Sequence, residues 1–168
     1  MKKIFTEDNI QFDSHEELVF YRWCKEAEMA GYLERFEYHP KPLKLSGRIV
    51  RRTQKILKAK IKTIDKFLLH PHEYTLDFVL YPTVLFERFK HGLVEFVDNV
   101  YYIDVKGGFN LYNNHRDFSI NQKWVYEKFG IYVNKVEPKK FFAKTWTPGS
   151  ARKQSTLKGV LAECLTGK

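Results

Sequence analysis

Cysteine is scarce in this sequence of 168 residues: Cys24 and Cys164 lie far apart and lack the paired spacing of a metal site. We therefore expect reduced thiols in a cytoplasmic protein rather than a disulfide or zinc framework. No apolar run approaches the roughly 18 residues that a membrane span requires, so we expect no membrane partner. The first residues carry two lysines with no apolar stretch after them, so we also expect no secretory signal.

Repeats and low-complexity tracts are absent as well. Apolar residues make up 43% of the chain and aromatic residues 16%, which excludes an intrinsically disordered protein. A chain of this length is long enough for one hydrophobic core and too short for two comfortable ones. We therefore predict one folded domain over residues 1–150, followed by a basic tail over residues 151–168.

Acidic residues are nearly missing from two stretches of a chain whose net charge is +9. Residues 41–66 hold ten Lys and Arg against one acid, and residues 139–168 hold seven against one. Segments this basic usually bind polyanions, most often nucleic acid, and the ordinary alternative is a solvated surface. The acids gather in the rest of the chain, which suggests a divalent cation between the protein and a phosphate.

Hydrophobic periodicity predicts the order helix, several strands, helix, strand, helix. Ser14 followed three residues later by Glu17 is typical of a helix N-terminus, and Gly31 is typical of a helix C-terminus. The stretches HEYTLDFVLYP (72–82) and YYIDVKG (101–107) alternate as strands do.

The remaining segments are assigned by the same patterns. Residues 47–69 alternate in part and predict a β-ribbon with a turn rather than a helix. Residues 117–130 predict a helix and residues 131–136 a strand. Apolar residues at helical spacing over 157–165 predict an amphipathic C-terminal helix.

An acid and a lysine close the strand YYIDVKG. Side chains alternate across a strand, so Ile103 and Val105 lie on one face, and Asp104 and Lys106 lie on the other. Asp77 stands alone among apolar neighbours in its own predicted strand. Because two buried carboxylates on neighbouring strands repel each other, a hard divalent ion such as Mg²⁺ would relieve the cost of placing them there.

Each of these residues also has an ordinary structural interpretation. Asp104 and Lys106 fit an ion pair at the end of a strand, and Asp77 fits a surface position on an edge strand. Glu17 fits a helix-capping residue with no catalytic role. Glu16 neighbours Glu17, and the S-x-x-E spacing favours the latter as the site residue.

Three motifs together resemble those of the PD-(D/E)xK nuclease superfamily. They are S-x-x-E at the start of a helix, T-L-D-F in one strand and I-D-V-K-G-G at the end of another. More closely, they resemble phage Holliday-junction-resolving enzymes of the endonuclease I type. The resemblance covers about residues 12–136. It implies an α/β (α+β) fold with a restriction-endonuclease-like core, a mixed central sheet flanked by helices in the order αβββαβ. Leu76 stands where the name-giving proline would be, and residues 41–72 match least and are expected to form a basic insertion.

The resemblance also implies an activity and its residues. It implies an Mg²⁺-dependent DNA endonuclease, with Mn²⁺ able to substitute, that acts as a homodimer on branched DNA in the cytoplasm of a phage host. Glu17, Asp77, Asp104 and Lys106 would be catalytic. Glu17, Asp77, Asp104 and the carbonyl of Val105 would hold the metal, and Lys106 would act on the water and the phosphate.

DNA contacts are expected from the basic segments and from the helix over 117–130, whose Gln122 and Tyr126 resemble a Q-x-x-x-Y element of some of these nucleases. The predicted contacts are Arg51, Arg52, Lys55, Lys58, Lys60, Gln122, Lys123, Arg152 and Lys153. Two other functions fit the same residues. One is a general or repair-type nuclease acting on duplex or ended DNA, and the other is a non-catalytic nucleic-acid-binding module.

Overall fold

A computed structural model describes residues 4–58, 60–86, 93, 99–107, 114–149 and 151. This part contains three helices and ten strands, and the strands form one mixed sheet of four strands and three antiparallel pairs, which confirms the predicted α+β class. The elements in chain order are β1 (Phe5–Glu7), β2 (Ile10–Phe12), α1 (His15–Met29), β3 (Leu33–Tyr38), β4 (Leu43–Ser46), β5 (Ile49–Leu57), β6 (Lys60–Leu69), β7 (His72–Tyr74), β8 (Phe78–Pro82), β9 (Tyr101–Val105), α2 (Asn114–Phe129), β10 (Val133–Val136) and α3 (Pro138–Lys144).

The central sheet has four strands in the order β10-β9-β8-β3. Strand β8 runs antiparallel to both β3 and β9, whereas β10 runs parallel to β9. Parallel neighbours require a crossover connection, and α2 lies in the connection between β9 and β10. The elements that form or flank this sheet therefore follow one another as α1, β3, β8, β9, α2 and β10.

Helices cover both faces of the central sheet. On one face α1 buries Phe20 and Trp23 completely, and the ring of Phe20 lies 5.0 Å from that of Phe78 in β8. On the other face Val125 of α2 packs in a cluster with Val79 of β8. Because both faces are buried, successive residues of β8 are apolar, as expected for a strand between two helical layers.

The ends of α1 agree with the sequence prediction. Ser14 is the N-cap, and its hydroxyl accepts a hydrogen bond from the backbone N–H of Glu17 at 3.2 Å. At the other end Gly31 has a φ of +76°, a conformation that glycine adopts without the cost other residues incur. No helix of the described residues is long and apolar enough to cross a membrane.

The predicted β-ribbon is confirmed. Strands β5 and β6 pair with each other antiparallel and with no other described strand, and nearly every described side chain along them is exposed. Strands β4 and β7 form a second antiparallel pair. Residues 43–74 therefore lie outside the central sheet, between its strands β3 and β8.

Other segments differ from the prediction. The single strand predicted over 72–82 is divided into β7, which pairs with β4, and β8, which pairs with β3 and β9. The division falls at Asp77, whose N–H donates to the carbonyl of Ile103 while its side chain binds β9. The hairpin β1–β2 and helix α3 were not predicted. The predicted helix over 157–165 lies outside the described residues.

Candidate active site

Two carboxylates meet where β8 begins and β9 ends. Asp77 directly precedes β8, and its Oδ2 accepts a hydrogen bond of 2.6 Å from the N–H of Val105 on β9. Burial, and then the negative charge of Asp104, raise the pKa of Asp77 to about 8. Such a shift is expected where like charges share a poorly hydrated site, so the two side chains cannot both be ionised without cost.

Asp104 is almost fully buried, with 4% of its side chain exposed. Its Oδ1 accepts a hydrogen bond from Nζ of Lys106 at 2.7 Å, whereas its Oδ2 has no hydrogen-bond partner among the described residues. The nearby hydroxyl of Tyr74 is also buried without a partner at good hydrogen-bonding geometry, and burial, the charge of Asp104 and a weaker polar contact with that side chain raise the pKa of Tyr74. A buried carboxylate oxygen without a partner is costly, and a cation would satisfy it.

Glu17 brings a third carboxylate to this end of the sheet from the first turn of α1. Its Oε1 accepts from the hydroxyl of Ser14 at 2.6 Å, and its Oε2 accepts from the hydroxyl of Tyr38 at 2.8 Å. Only 8% of the Glu17 side chain is exposed, and its charge contributes to the raised pKa of Asp77. These two hydrogen bonds fix the carboxylate, as the partners of a metal ligand would.

Lys106 and the residue after it border this acidic cluster. The side chain of Lys106 is 28% exposed, and its Nζ lies 6.0 Å from the ring centre of Phe118 on α2. A Cβ on Gly107 would lie 3.5 Å from Oε1 of Glu16. The structure thus brings together the four predicted catalytic residues and places Glu16, the neighbour of Glu17, against the end of β9.

His39 is a site residue that the sequence analysis missed. Its Nε2 lies 3.9 Å from Oδ1 of Asp77, 3.8 Å from Oε2 of Glu17 and 4.0 Å from Oδ2 of Asp13. One ligand atom each from Asp13, Glu17 and His39 lie within 4.8 Å of one another, a grouping that can hold a metal ion. A lone histidine before a proline gives no periodic signal, so only the fold reveals its place.

A cleft of about 190 Å³ opens beside Asp104 and Lys106. Its other walls are Tyr74 and three residues of α2, Asp117, Phe118 and Asn121. The ammonium group of Lys106 is the only cation among the described residues that line the cleft. A substrate phosphate entering here would meet Lys106 next to the carboxylates.

The predicted DNA contacts of α2 lie in different settings. The side-chain amide of Gln122 donates to the carbonyl of Val133 at 2.6 Å, which ties α2 to β10. Lys123 is exposed, and with Tyr126 and Tyr132 it lines an open groove. Gln122 therefore has a structural partner, whereas Lys123 faces solvent.

The DNA contacts predicted for the ribbon β5–β6 lie on both of its faces. Directly paired residues share a face, and the register pairs Arg51 with Lys66 and Lys55 with Lys62 on one face. Lys60 lies on this basic face and Lys58 in the turn. Arg52 lies on the opposite face, where its Nε is 3.4 Å from Oδ1 of Asp65. Arg152 and Lys153 lie outside the described residues.

Comparisons of the chain with protein-family models, with curated proteins and with solved structures find no match. The functional argument therefore rests on the arrangement of the chain's own residues.

Proposed function

We propose that the chain is a metal-dependent DNA endonuclease that hydrolyses phosphodiester bonds in branched DNA, as a Holliday junction resolvase does. One observation carries the proposal: Glu17, Asp77 and Asp104 come from distant parts of the sequence and meet at one end of the central sheet, with Lys106 hydrogen-bonded to Asp104. The order α1, β3, β8, β9, α2, β10 supports a restriction-endonuclease-like core.

The donor set fits a hard divalent cation. Mg²⁺ prefers carboxylate and carbonyl oxygens, and Asp77, Asp104 and Glu17, together with the carbonyl of Val105, would supply them. The Oδ2 of Asp104 has no partner at hydrogen-bonding geometry, and burial, followed by the charges of Asp104 and Glu17, raises the pKa of Asp77, so a cation bound between these carboxylates would be favourable. These residues therefore fit Mg²⁺, and Mn²⁺ in its place.

The bound ion and Lys106 would have different roles in hydrolysis. When bound, the ion would lower the pKa of a water molecule and offset charge on the phosphate. Lys106 donates one hydrogen bond to Asp104 and has two further protons to offer. It would orient the attacking water or stabilise the charge that develops on the phosphate, a contribution that commonly amounts to several kcal/mol.

The ribbon would hold the DNA backbone. Its basic face sets like charges opposite each other in the pairs Arg51–Lys66 and Lys55–Lys62. Like charges directly opposite on a sheet are destabilising, and phosphates would relieve that repulsion. A two-stranded ribbon also fits the major groove of B-DNA, which is about 12 Å wide. Binding would then weaken steeply with salt as counterions are released.

Resolution of a junction requires two related cuts, so we propose a homodimer with two symmetric sites. The amphipathic helix predicted over residues 157–165, which lies outside the described residues, is the sequence candidate for part of its interface, and the alternative is that its apolar face packs on the chain's own core. Light scattering of the purified protein measures the oligomeric state, and a strictly monomeric protein that resolves junctions symmetrically would contradict the dimer.

The test offers a synthetic four-way junction and a linear duplex together, in the presence of Mg²⁺. Symmetric nicks confined to the junction are expected, and uniform degradation of the duplex would favour the general nuclease instead. Asp77→Asn should abolish cleavage and retain DNA binding, whereas Glu127→Gln, at an exposed carboxylate of α2, should cleave normally. If the wild-type protein never cleaves and binds DNA equally with and without divalent ions, it is a binding module.

A further inference from the structure

We propose that His39 is a ligand of the metal site formed with Glu17 and Asp77, and that its imidazole makes the site prefer a first-row transition ion to Mg²⁺. The inference deepens the proposed nuclease function, because it names the ion class that the same site binds best. It adds a nitrogen donor to a site that the sequence predicted to be made of oxygens.

The first argument is the position of the imidazole nitrogen. Nε2 of His39 lies 3.8–4.0 Å from carboxylate oxygens of Asp13, Glu17 and Asp77. Two ligands that each lie about 2.0–2.2 Å from one ion are at most about 4.4 Å apart. The nitrogen therefore already has, to each of the three oxygens, the separation of two atoms that share an ion. Among the described residues, the ligand atoms that also lie within 4.8 Å of one another are those of His39, Glu17 and Asp13, with Asp77 beside the nitrogen.

The second argument is the backbone that presents the ring. His39 has a φ of +46°, a left-handed conformation that is uncommon outside glycine and tends to occur at functional sites. Two contacts hold it there: its N–H donates to the carbonyl of Asp77 at 2.9 Å, and its ring stacks on Tyr38 at 4.0 Å. The same Tyr38 donates its hydroxyl to Glu17, so one tyrosine positions two of the ligands.

The third argument comes from Asp104, which is independent of the histidine. Its Oδ2 is buried without a described hydrogen-bond partner, and its charge acts on Asp77, whose other oxygen faces His39. Asp77 thus links the partnerless oxygen of Asp104 to the group around His39. A cation bound at Asp77 would offset the negative charge that Asp104 places beside it.

The chemistry of the donors sets the expected selectivity. Imidazole nitrogen strengthens binding of first-row transition ions along the series from Mn²⁺ to Cu²⁺, whereas Mg²⁺ is held by oxygens. A site with one imidazole among carboxylates should therefore bind Co²⁺ more tightly than Mg²⁺, and His39 should account for the difference. In the alternative role, a positively charged His39 ring only neutralises the acids. Removing the ring would then strengthen the binding of both Co²⁺ and Mg²⁺.

His39→Asn tests the inference without disturbing the backbone, because asparagine tolerates the left-handed conformation. Isothermal titration of the full chain with Co²⁺ and with Mg²⁺ should show Co²⁺ affinity lowered tenfold or more and Mg²⁺ affinity within about threefold, by analogy with the 10–100-fold effects of altering a metal site. His70→Asn, at an exposed histidine after β6, should bind both ions as the wild type does.

Three results would overturn the inference: unchanged binding of Co²⁺, tighter binding of both ions, or equal weakening of both. The first would mean that His39 is not a ligand, the second that it is a counter-charge, and the third that it acts only through the fold. Failure of the nuclease proposal is a separate result. If Co²⁺ binding depends on His39 but no DNA substrate is cut, the metal site stands and the nuclease function does not.

Discussion

Replacing Asp77 with asparagine in the metal-free protein should remove a pH-dependent loss of stability. The pKa of Asp77 is raised from 3.8 to about 8, so between these values the folded chain keeps a proton that the unfolded chain has lost. The stability that this proton confers is complete below pH 4 and declines as the pH rises towards 8. The decline is at most about 1.4 kcal/mol of unfolding free energy per pH unit.

Between pH 5 and pH 7 the loss of unfolding free energy therefore amounts to at most roughly 3 kcal/mol. For a chain of this size that is a fall of about 5–10 °C in Tm. Asparagine resembles the protonated acid: it is neutral at every pH, and its oxygen can still accept the hydrogen bond from Val105. The variant should thus be the more stable protein at pH 7 and should lack this part of the decline.

The assay is differential scanning calorimetry in EDTA at pH 5, 6, 7 and 8, with Glu127→Gln as the matched control. Other titrating groups affect the wild type and Asp77→Asn alike, so the difference between the Tm values of these two proteins isolates the contribution of Asp77. Glu127→Gln should follow the wild type at every pH. Adding Mg²⁺ at 100 times its Kd should restore about 2.7 kcal/mol to the wild type and much less to Asp77→Asn. Parallel Tm curves for the two proteins would refute the argument that carboxylates crowd this site.

Three further predictions follow from the same geometry. Lys106→Gln should bind DNA normally and cleave it at least about 100-fold more slowly, as gel shift and single-turnover assays would show; normal cleavage would exclude a catalytic role. Replacing Lys55 and Lys62 by glutamine should reduce the slope of log Kd against log salt by about 2, whereas Arg52→Gln, on the other face, should not; equal effects would contradict two distinct faces. Phe78→Ala should cost about 3–5 kcal/mol of unfolding free energy in urea titrations, and a loss below 1 kcal/mol would contradict its complete burial.

Local patterns in the sequence predicted those parts of the fold that local interactions determine. The S-x-x-E motif marks the start of α1 because Ser14 and Glu17 interact within one turn. The ribbon was predicted because alternation distinguishes a strand from a helix even in a segment this basic. Strands β1 and β2, of three residues each, and the seven-residue α3 are too short for periodicity to reveal.

What could not be predicted depends on partners distant in the sequence. Residues 72–82 read as one strand, and only the pairing of β7 with β4 and of β8 with β3 and β9 divides them. The place of His39 likewise depends on the approach of β3 to Asp77. The four residues predicted to be catalytic were chosen through a resemblance in their motifs, and spacing along the chain contains no information about His39, which lies outside those motifs.

Three energetically unfavourable features of the metal-free protein lie at one end of the central sheet. Asp77 has a raised pKa, Asp104 has a buried oxygen without a described partner, and His39 has a left-handed backbone. Each feature lowers the stability of the metal-free chain, and apolar or amide residues could fill the same positions at less cost. A cation bound at Asp77 would offset the repulsion between Asp77 and Asp104, and His39 presents a nitrogen 3.9 Å from Asp77, so metal binding would explain the three features together.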